Sequence, residues 1–375
     1  MGAILASLVG SAFVISPVGH TDTIDDITFG GPDLLRSGVV VAENAPELPG
    51  IDAKAWLVAD AETGDVLAAR NAHNELPPAS TLKLLTAITL IDGLDPELSY
   101  EATDADAGVE GSRVGLAPEE TYSFDDLTHG LMLASGNDAA HAIAELSGGQ
   151  DAAIDAMNAE ARRLGAVNTV AHTPHGLDEP GQISTAYDLA LIARSALGDP
   201  VLAEILRTTA YDFPGLDGTT FQIQNQNRLL GSYEGALGLK TGFTSEAGHT
   251  IAAAAERDGV RLIVTVLDPA DGRAEPVAAA LLDWGFAAVG TAEPVGTLVT
   301  PEEVERQGIA APVAEPGVEP SHAAQNEPAS VPSPRPHAGV HLADAALAGA
   351  GVVAFVILLT RLRRRRRQAT GRYAA

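Results

Sequence analysis

The apolar positions of this chain follow two rhythms. Short, dense apolar runs occupy residues 55–60 and 66–70, on either side of Glu62-Thr63-Gly64-Asp65. The same arrangement returns at 250–256 and 260–267, around Arg257-Asp258-Gly259. Two short runs about a Gly-containing turn predict a β-hairpin. A further short run, 239–243, sits between glycine-rich segments and reads as a strand. Between these ends the period lengthens to that of helices, over residues 123–135, 138–146, 151–164 and 185–197, and an amphipathic helix follows over 275–286. Ser123, followed by Phe124, Asp125 and Asp126, reads as an N-cap with acids in the first turn, and Ser184-Thr185 before Tyr187-Asp188 reads as another. Two strands early, three late and helices between predict an α/β (α+β) architecture. It is one antiparallel five-stranded sheet whose first and last parts pair across a mainly helical insert.

One predicted helix carries chemistry. Pro77-Pro78-Ala79-Ser80-Thr81-Leu82-Lys83-Leu84-Leu85 opens with prolines, which suit an entry loop or first turn, and runs to a stop at Asp92-Gly93. Ser80 and Lys83 lie three apart and share a helical face. A serine hydroxyl needs a base to react near neutral pH, and a lysine serves if burial lowers its pKa. A surface serine beside a solvated lysine is the plainer reading, but the chain holds 17 serines and only three lysines, Lys54, Lys83 and Lys240. Chance alone gives roughly 0.14 such Ser-x-x-Lys pairs in a chain of this composition. Lys240 opens Lys240-Thr241-Gly242, and Ser135-Gly136-Asn137 lies between. His172 and His175 form an H-x-x-H, but Pro174 between them disfavours a helix and no Glu completes a zinc site. No Gly-x-Ser-x-Gly elbow occurs.

With 375 residues, 46% of them hydrophobic, the chain has material for a sizeable core, and with no cysteine it has no disulfide framework. The net charge is −27, unevenly spread: seven arginines fall at or after Arg361, where there are no acids, so residues 1–360 hold 16 basic against 50 acidic side chains. Such a surface repels phosphate backbones, so nucleic acid is not an expected partner. Residues 1–18 contain an apolar run of about signal-peptide length, and 19–50 read as a loose lead-in. Residues 51–290 are the expected catalytic domain, and 291–342 a Pro-rich linker with eight prolines after residue 300. Residues 343–362 are the expected transmembrane anchor, and 363–375 a basic cytoplasmic tail under the positive-inside rule.

Ser-x-x-Lys, Ser-x-Asn and Lys-Thr-Gly, in that order, are the motif set of penicillin-binding proteins and serine β-lactamases. The likeness extends through Leu131-Met132-Leu133-Ala134-Ser135-Gly136-Asn137-Asp138, Thr173-Pro174-His175-Gly176-Leu177-Asp178, Gly238 to Thr244 and Leu281 to Phe286. Over some 230 residues the chain resembles the D-alanyl-D-alanine carboxypeptidases, the low-molecular-mass penicillin-binding proteins. Thr173 stands where that family usually has Asn.

The resemblance implies a penicillin-binding-protein/serine β-lactamase-like fold and removal of the terminal D-alanine from peptidoglycan stem pentapeptides, with no cofactor and no metal. It implies Ser80 as nucleophile, Lys83 as general base, Ser135 as proton relay to the leaving amine, and Asn137 as a hydrogen-bonding partner of the substrate amide. Lys240 would hold the electrostatics of the site. Thr241, Gly242, Phe243 and Thr244 would line the substrate, with backbone N–H groups of Ser80 and Phe243 as the oxyanion hole. Arg273 resembles an arginine that binds the terminal carboxylate. The implied partners are the stem peptide, β-lactam antibiotics as covalent inhibitors, and the membrane through the C-terminal segment, with the catalytic domain extracytoplasmic. The alternatives are a class A-like β-lactamase and a non-catalytic wall-binding module. Against the first, no Glu-x-x-x-Asn lies between Asn137 and Lys240, and the middle motif is Ser-Gly-Asn.

Overall fold

The computed structural model describes residues 29–91, 95 and 97–308. The strands are β1 (Val39–Val41), β2 (Ala53–Asp60), β3 (Asp65–Arg70), β4 (Ser99–Glu101), β5 (Thr121–Ser123), β6 (Ala210–Pro214), β7 (Thr220–Gln224), β8 (Ala236–Thr244), β9 (Gly248–Arg257), β10 (Val260–Pro269) and β11 (Gly296–Thr297). The helices are α1 (Lys83–Leu90), α2 (Asp104–Gly108), α3 (Phe124–Met132), α4 (Asn137–Leu146), α5 (Gln150–Leu164), α6 (Ala186–Gly198), α7 (Pro200–Arg207), α8 (Leu229–Ser232), α9 (Ala274–Ala288) and α10 (Pro301–Arg306).

The main sheet runs β1-β3-β2-β10-β9-β8, with β11 also on β3, and its pairs are antiparallel. The five long strands are those expected. The sheet has seven strands, not five, because two short ones, β1 and β11, follow one another along the edge of β3 that β2 leaves free. They come from segments read as lead-in and linker, and three-residue and two-residue strands leave no periodicity to read. The join across the insert is the β2–β10 pairing, from Leu262 opposite Asp60 to Pro269 opposite Ala53. At the β9–β10 turn, Asp258 and Gly259 both take positive φ, 51° and 81°, as a two-residue hairpin of right-handed twist requires.

Both faces of the sheet are covered. Ile263, Leu267, Ala252 and Ala254 join a core shared with α1 and the helices of the insert. Leu262, Val264, Val266 and Ile251 join a second core with Leu281, Leu282 and Trp284 of α9. Burial of each large side chain contributes about 1.5–3 kcal/mol. Cover on both sides explains why β9 and β10 read as continuous apolar runs and not as alternations.

In the insert, α2, α3 and α6 each start with a side-chain cap. Ser123 and Asp126 form a reciprocal capping box at α3, and Thr103 and Asp106 do so at α2. The Thr185 hydroxyl accepts from Asp188 N at α6. The two small antiparallel strand pairs β4–β5 and β6–β7 were not expected within it.

The expected signal segment, the linker beyond residue 308, the anchor over 343–362 and the tail over 363–375 lie outside the described residues. Among the described residues, no helix is long and apolar enough to cross a membrane.

Candidate active site

Ser80 sits on a single 3₁₀ turn, Ala79–Leu82, that leads directly into α1. Pro78 precedes the turn, and Ala79 takes a positive φ of 51°. Three hydroxyls fasten this bend. Thr81 and Thr250 both donate to the Pro78 carbonyl, at 2.6 and 2.9 Å, and Thr86 donates to the Pro174 carbonyl at 2.6 Å. Leu82, Leu84 and Leu85 are wholly buried and fix the start of α1 between the sheet and the insert.

Lys83, on the next turn, has no exposure to solvent. Its Nζ donates to Ser80 Oγ at 3.0 Å, to Asn137 Oδ1 at 2.7 Å and to the His175 carbonyl at 2.6 Å. Three acceptors match the three protons of an ammonium. Burial pushes the Lys83 ammonium well below the usual lysine range; the charge of Lys240 adds to the push, and that of Asp138 opposes it.

Asn137 begins α4, and its amide is held at both ends: Oδ1 by Lys83, and Nδ2 by donation to the Glu110 carbonyl at 2.6 Å. Its backbone N–H donates to the Ser112 carbonyl at 2.7 Å. Ser135 precedes it with a positive φ of 59°. The expected helix over 123–135 therefore ends early, at Met132, and the chain reverses before α4. This reversal is pinned by Gln226, whose N–H donates to the Leu133 carbonyl and whose side chain donates to the Ala134 carbonyl.

The third wall is β8. Lys240 is 1% exposed, its Nζ donates to the Thr241 carbonyl, and burial pushes its pKa down to about 7. Gly242 packs against the Ser80 turn so closely that a Cβ there would lie 2.8 Å from Ser80 N and 2.5 Å from Thr250 Oγ1. The Thr244 hydroxyl donates to Asp178, which ties the end of β8 to the 173–178 loop. Within that loop, Thr173 Oγ1 accepts from Gly176 N at 3.1 Å and donates to Gln182, so a threonine fills this capping position. Gly176 has φ +83°, and a Cβ on it would meet the Ala79 carbonyl at 2.1 Å. The loop thus lies directly against the serine turn. The His175 ring is pushed down to about 4 by burial, then by the charges of Lys83 and His141. A neutral ring suits its role here, accepting from Leu177 N at 3.3 Å.

Ser80, Ser112, Ser135, Thr241, Gly242, Phe243 and Arg273 line one cavity of about 590 Å³. Lys83, Asn137 and Lys240 stand buried behind it. The Phe243 side chain is exposed at the mouth, against the His249 ring at 4.7 Å. Arg273 reaches the cavity, but its guanidinium is turned onto Asp271, with Nε and Nη2 donating to Oδ2 at 3.0 and 2.8 Å. Among the described residues, no cluster of three or more His, Cys, Asp or Glu side chains is placed to hold a metal ion.

A family model described as D-alanyl-D-alanine carboxypeptidase matches residues 41–271. The chain is 43% identical over 246 residues to D-alanyl-D-alanine carboxypeptidase DacB2 of Mycobacterium tuberculosis, an alignment that covers 64% of this chain and 84% of that protein. It is 36% identical over 278 residues to D-alanyl-D-alanine carboxypeptidase DacC of Escherichia coli, covering 70% of this chain and 68% of that one. A crystal structure of a D-alanyl-D-alanine carboxypeptidase from Mycobacterium tuberculosis superposes with a TM-score of 0.66 at 42% identity, over 69% of this chain and 100% of the other. The Streptomyces K15 DD-transpeptidase superposes with a TM-score of 0.60 at 30% identity, over 64% and 100%.

Sequence reasoning missed Asp138. It follows Asn137, is wholly buried, and accepts four backbone N–H bonds: from Val114 at 2.9 Å, Gly115 at 2.8 Å, Leu116 at 3.0 Å and Ala139 at 3.0 Å. The segment it gathers continues from Glu110 and Ser112, the two carbonyls that hold Asn137. A buried acid beside a motif residue was the available signal, since Asp is almost never wholly buried without partners. Asp138→Asn leaves an amide N–H₂ facing backbone donors. We expect a loss of about 1–3 kcal/mol in urea unfolding at unchanged slope, and an unshifted midpoint would contradict this account of the loop.

Proposed function

This chain belongs to the D-alanyl-D-alanine carboxypeptidase family, and we propose that Ser80 is its acylated nucleophile and Lys83 the base that activates it. The enzyme is a serine hydrolase of the D-Ala-D-Ala carboxypeptidase type. The observation that carries the assignment is the set of Lys83 partners. A neutral lysine has two N–H bonds and one lone pair. The fixed carbonyl oxygens of Asn137 and His175 take the two N–H bonds, which leaves the lone pair directed at the Ser80 hydroxyl, 3.0 Å away. Burial and Lys240 favour that neutral form.

In the proposed reaction, Lys83 takes the Ser80 proton as Oγ attacks the carbonyl carbon between two D-alanines. The oxyanion forms between the N–H groups of Ser80 and Phe243, a pairing supported by the close approach of Gly242 to the Ser80 turn. The C–N bond breaks, the proton passes through Ser135 to the leaving amine, and the terminal D-alanine departs. Water then attacks the Ser80 ester, returns a proton to Oγ and releases the shortened peptide. Asn137 holds the substrate amide, Lys240 supplies positive charge behind the site, and Thr241, Gly242, Phe243, Thr244 and Arg273 form the substrate wall. β-Lactams acylate the same Ser80.

The apolar N-terminal run and the arginine-rich tail support action outside the cytoplasm on peptidoglycan. We assign residues 343–362 as a membrane anchor, the arginines from Arg361 as its cytoplasmic stop, and the Pro-rich stretch as a spacer. This rests on sequence pattern alone.

Intact mass after incubation with penicillin should show a stable adduct that Ser80→Ala removes, beside D-alanine release from a stem pentapeptide. Fast penicillin hydrolysis without D-alanine release would favour the class A-like β-lactamase, and neither adduct nor turnover in folded protein would favour the wall-binding module. The pH profile tests Lys83 separately. As the neutral amine is the active form, kcat/KM is retained above its depressed pKa and lost as pH falls through it. Removing the Lys240 charge raises the Lys83 pKa, so Lys240→Gln should move the acid limb of the residual activity to higher pH; a stationary limb contradicts the coupling. A chain cut at residue 342 should leave the membrane fraction, and its continued sedimentation with membranes would disprove the C-terminal anchor.

A further inference from the structure

The catalytic cavity does not end at Arg273. A second hollow of about 340 Å³ adjoins it, lined by Arg228, Leu229, Ser232, Tyr233, Arg273 and Glu275 among others. Arg228, Arg273 and Glu275 line both spaces and mark where they meet. The two arginines differ in their partners. Arg273 is paired with Asp271 through two hydrogen bonds on one carboxylate oxygen. The Arg228 guanidinium is exposed and has no ion-pair or hydrogen-bond partner among the described residues. No ion pair joins either arginine to Glu275, although that acid lines the same rim.

An unpaired cation here is notable in a chain with 50 acidic and 23 basic side chains. The overall field repels an anionic peptide, so a local uncompensated positive charge decides whether its carboxylate enters the cleft. The guanidinium fork suits a carboxylate in particular. Arg228 is also well placed to stay put. It lies just before α8, its carbonyl accepts from Gly231 N and from the Ser232 hydroxyl, and the neighbouring Asn227 side chain donates to the Gly238 carbonyl of β8. These bonds use backbone and neighbours and leave the Arg228 side chain free.

We propose that Arg228 is a specificity-determining residue that binds a carboxylate of the peptide substrate at the junction of the two hollows. The proposal rests on the carboxypeptidase reading and adds to it a residue outside the Ser-x-x-Lys, Ser-x-Asn and Lys-Thr-Gly motifs. Two carboxylates of a stem peptide have the required chemistry: the C-terminal one, common to every substrate, and a second one further along the peptide.

Three substrates separate these sources in D-alanine release assays on the full chain: diacetyl-L-Lys-D-Ala-D-Ala, whose only carboxylate is C-terminal; L-Ala-γ-D-Glu-L-Lys-D-Ala-D-Ala; and the same pentapeptide with its D-Glu α-carboxylate amidated. Arg228→Gln should raise KM roughly five- to twentyfold with kcat changed less than twofold, and Arg228→Lys should recover part of the loss. An increase on all three substrates assigns the C-terminal carboxylate. An increase confined to the pentapeptide with the free α-carboxylate assigns the second. KM within twofold of the parent on all three overturns the proposal, as does a fall in kcat at unchanged KM. Failure of the parent enzyme to release D-alanine from any substrate is a different result and overturns the carboxypeptidase reading itself.

Discussion

The structure turns on the cost of burying one ammonium group. Lys83 is cut off from water, and a charge so placed is tolerated only where its hydrogen bonds are met by the protein. The three acceptors come from three separate pieces of chain: the 3₁₀ turn of Ser80, the start of α4 at Asn137, and the loop carrying His175. None of these pieces can shift without leaving a buried donor unpaired, a penalty of about 1–3 kcal/mol or more for a charged group. The packing of the fold and the alignment of the site are therefore one constraint. The same burial that demands fixed partners also lowers the Lys83 pKa, so what costs stability also favours the neutral amine with its free lone pair.

The surroundings adjust that balance. Lys240 lies near enough to oppose a charge on Lys83, and Asp138 lies near enough to favour one. Asp138 is the more economical device, because its four backbone hydrogen bonds stabilise a buried carboxylate without spending a side chain on it. It serves at once as an anchor for the 114–116 loop and as a counter-charge within a site that otherwise buries two lysines. The neutral ring of His175 follows from the same field, since a third buried cation would have no compensating partner.

Elements with many residues per repeat could be read from the sequence, as could the motif residues. The five long strands, the four longer helices of the insert and the Asp258-Gly259 turn were predicted, because each repeats a pattern over several residues or demands a rare backbone angle at a glycine; the short helices α2 and α7 were not. Ser80 and Lys83 were predicted to share a helical face, and they are joined at 3.0 Å; Asn137 was expected in the same site as a partner of the substrate, and its 2.7 Å bond to Lys83 was not foreseen. The short strands β1 and β11 carry no period, and only the free edge of β3 gives them a place. The early end of α3 was missed because the reversal that puts Ser135 in the left-handed region is held through the Leu133 and Ala134 carbonyls by Gln226, some 90 residues away. The partner of Arg273 was equally invisible: sequence shows an arginine two residues after Asp271, but not that the two are bonded.

One consequence concerns the second half of the reaction. The hydrogen-bond partners of Lys83 are a hydroxyl, an amide oxygen and a backbone carbonyl, and none is a carboxylate. An enzyme with a separate glutamate for deacylation can optimise attack by water independently of attack by serine. On the proposed roles one lysine serves both steps, and its lone pair faces the Ser80 oxygen in each. In acylation the serine proton lies along that line. In deacylation the ester oxygen occupies the same position, and an incoming water has to approach beside it. A geometry tuned to remove the Ser80 proton is thus off-axis for activating water. On the same proposal a β-lactam adduct, whose ring-opened leaving group stays tethered to the acyl group, would keep that approach blocked and be long-lived.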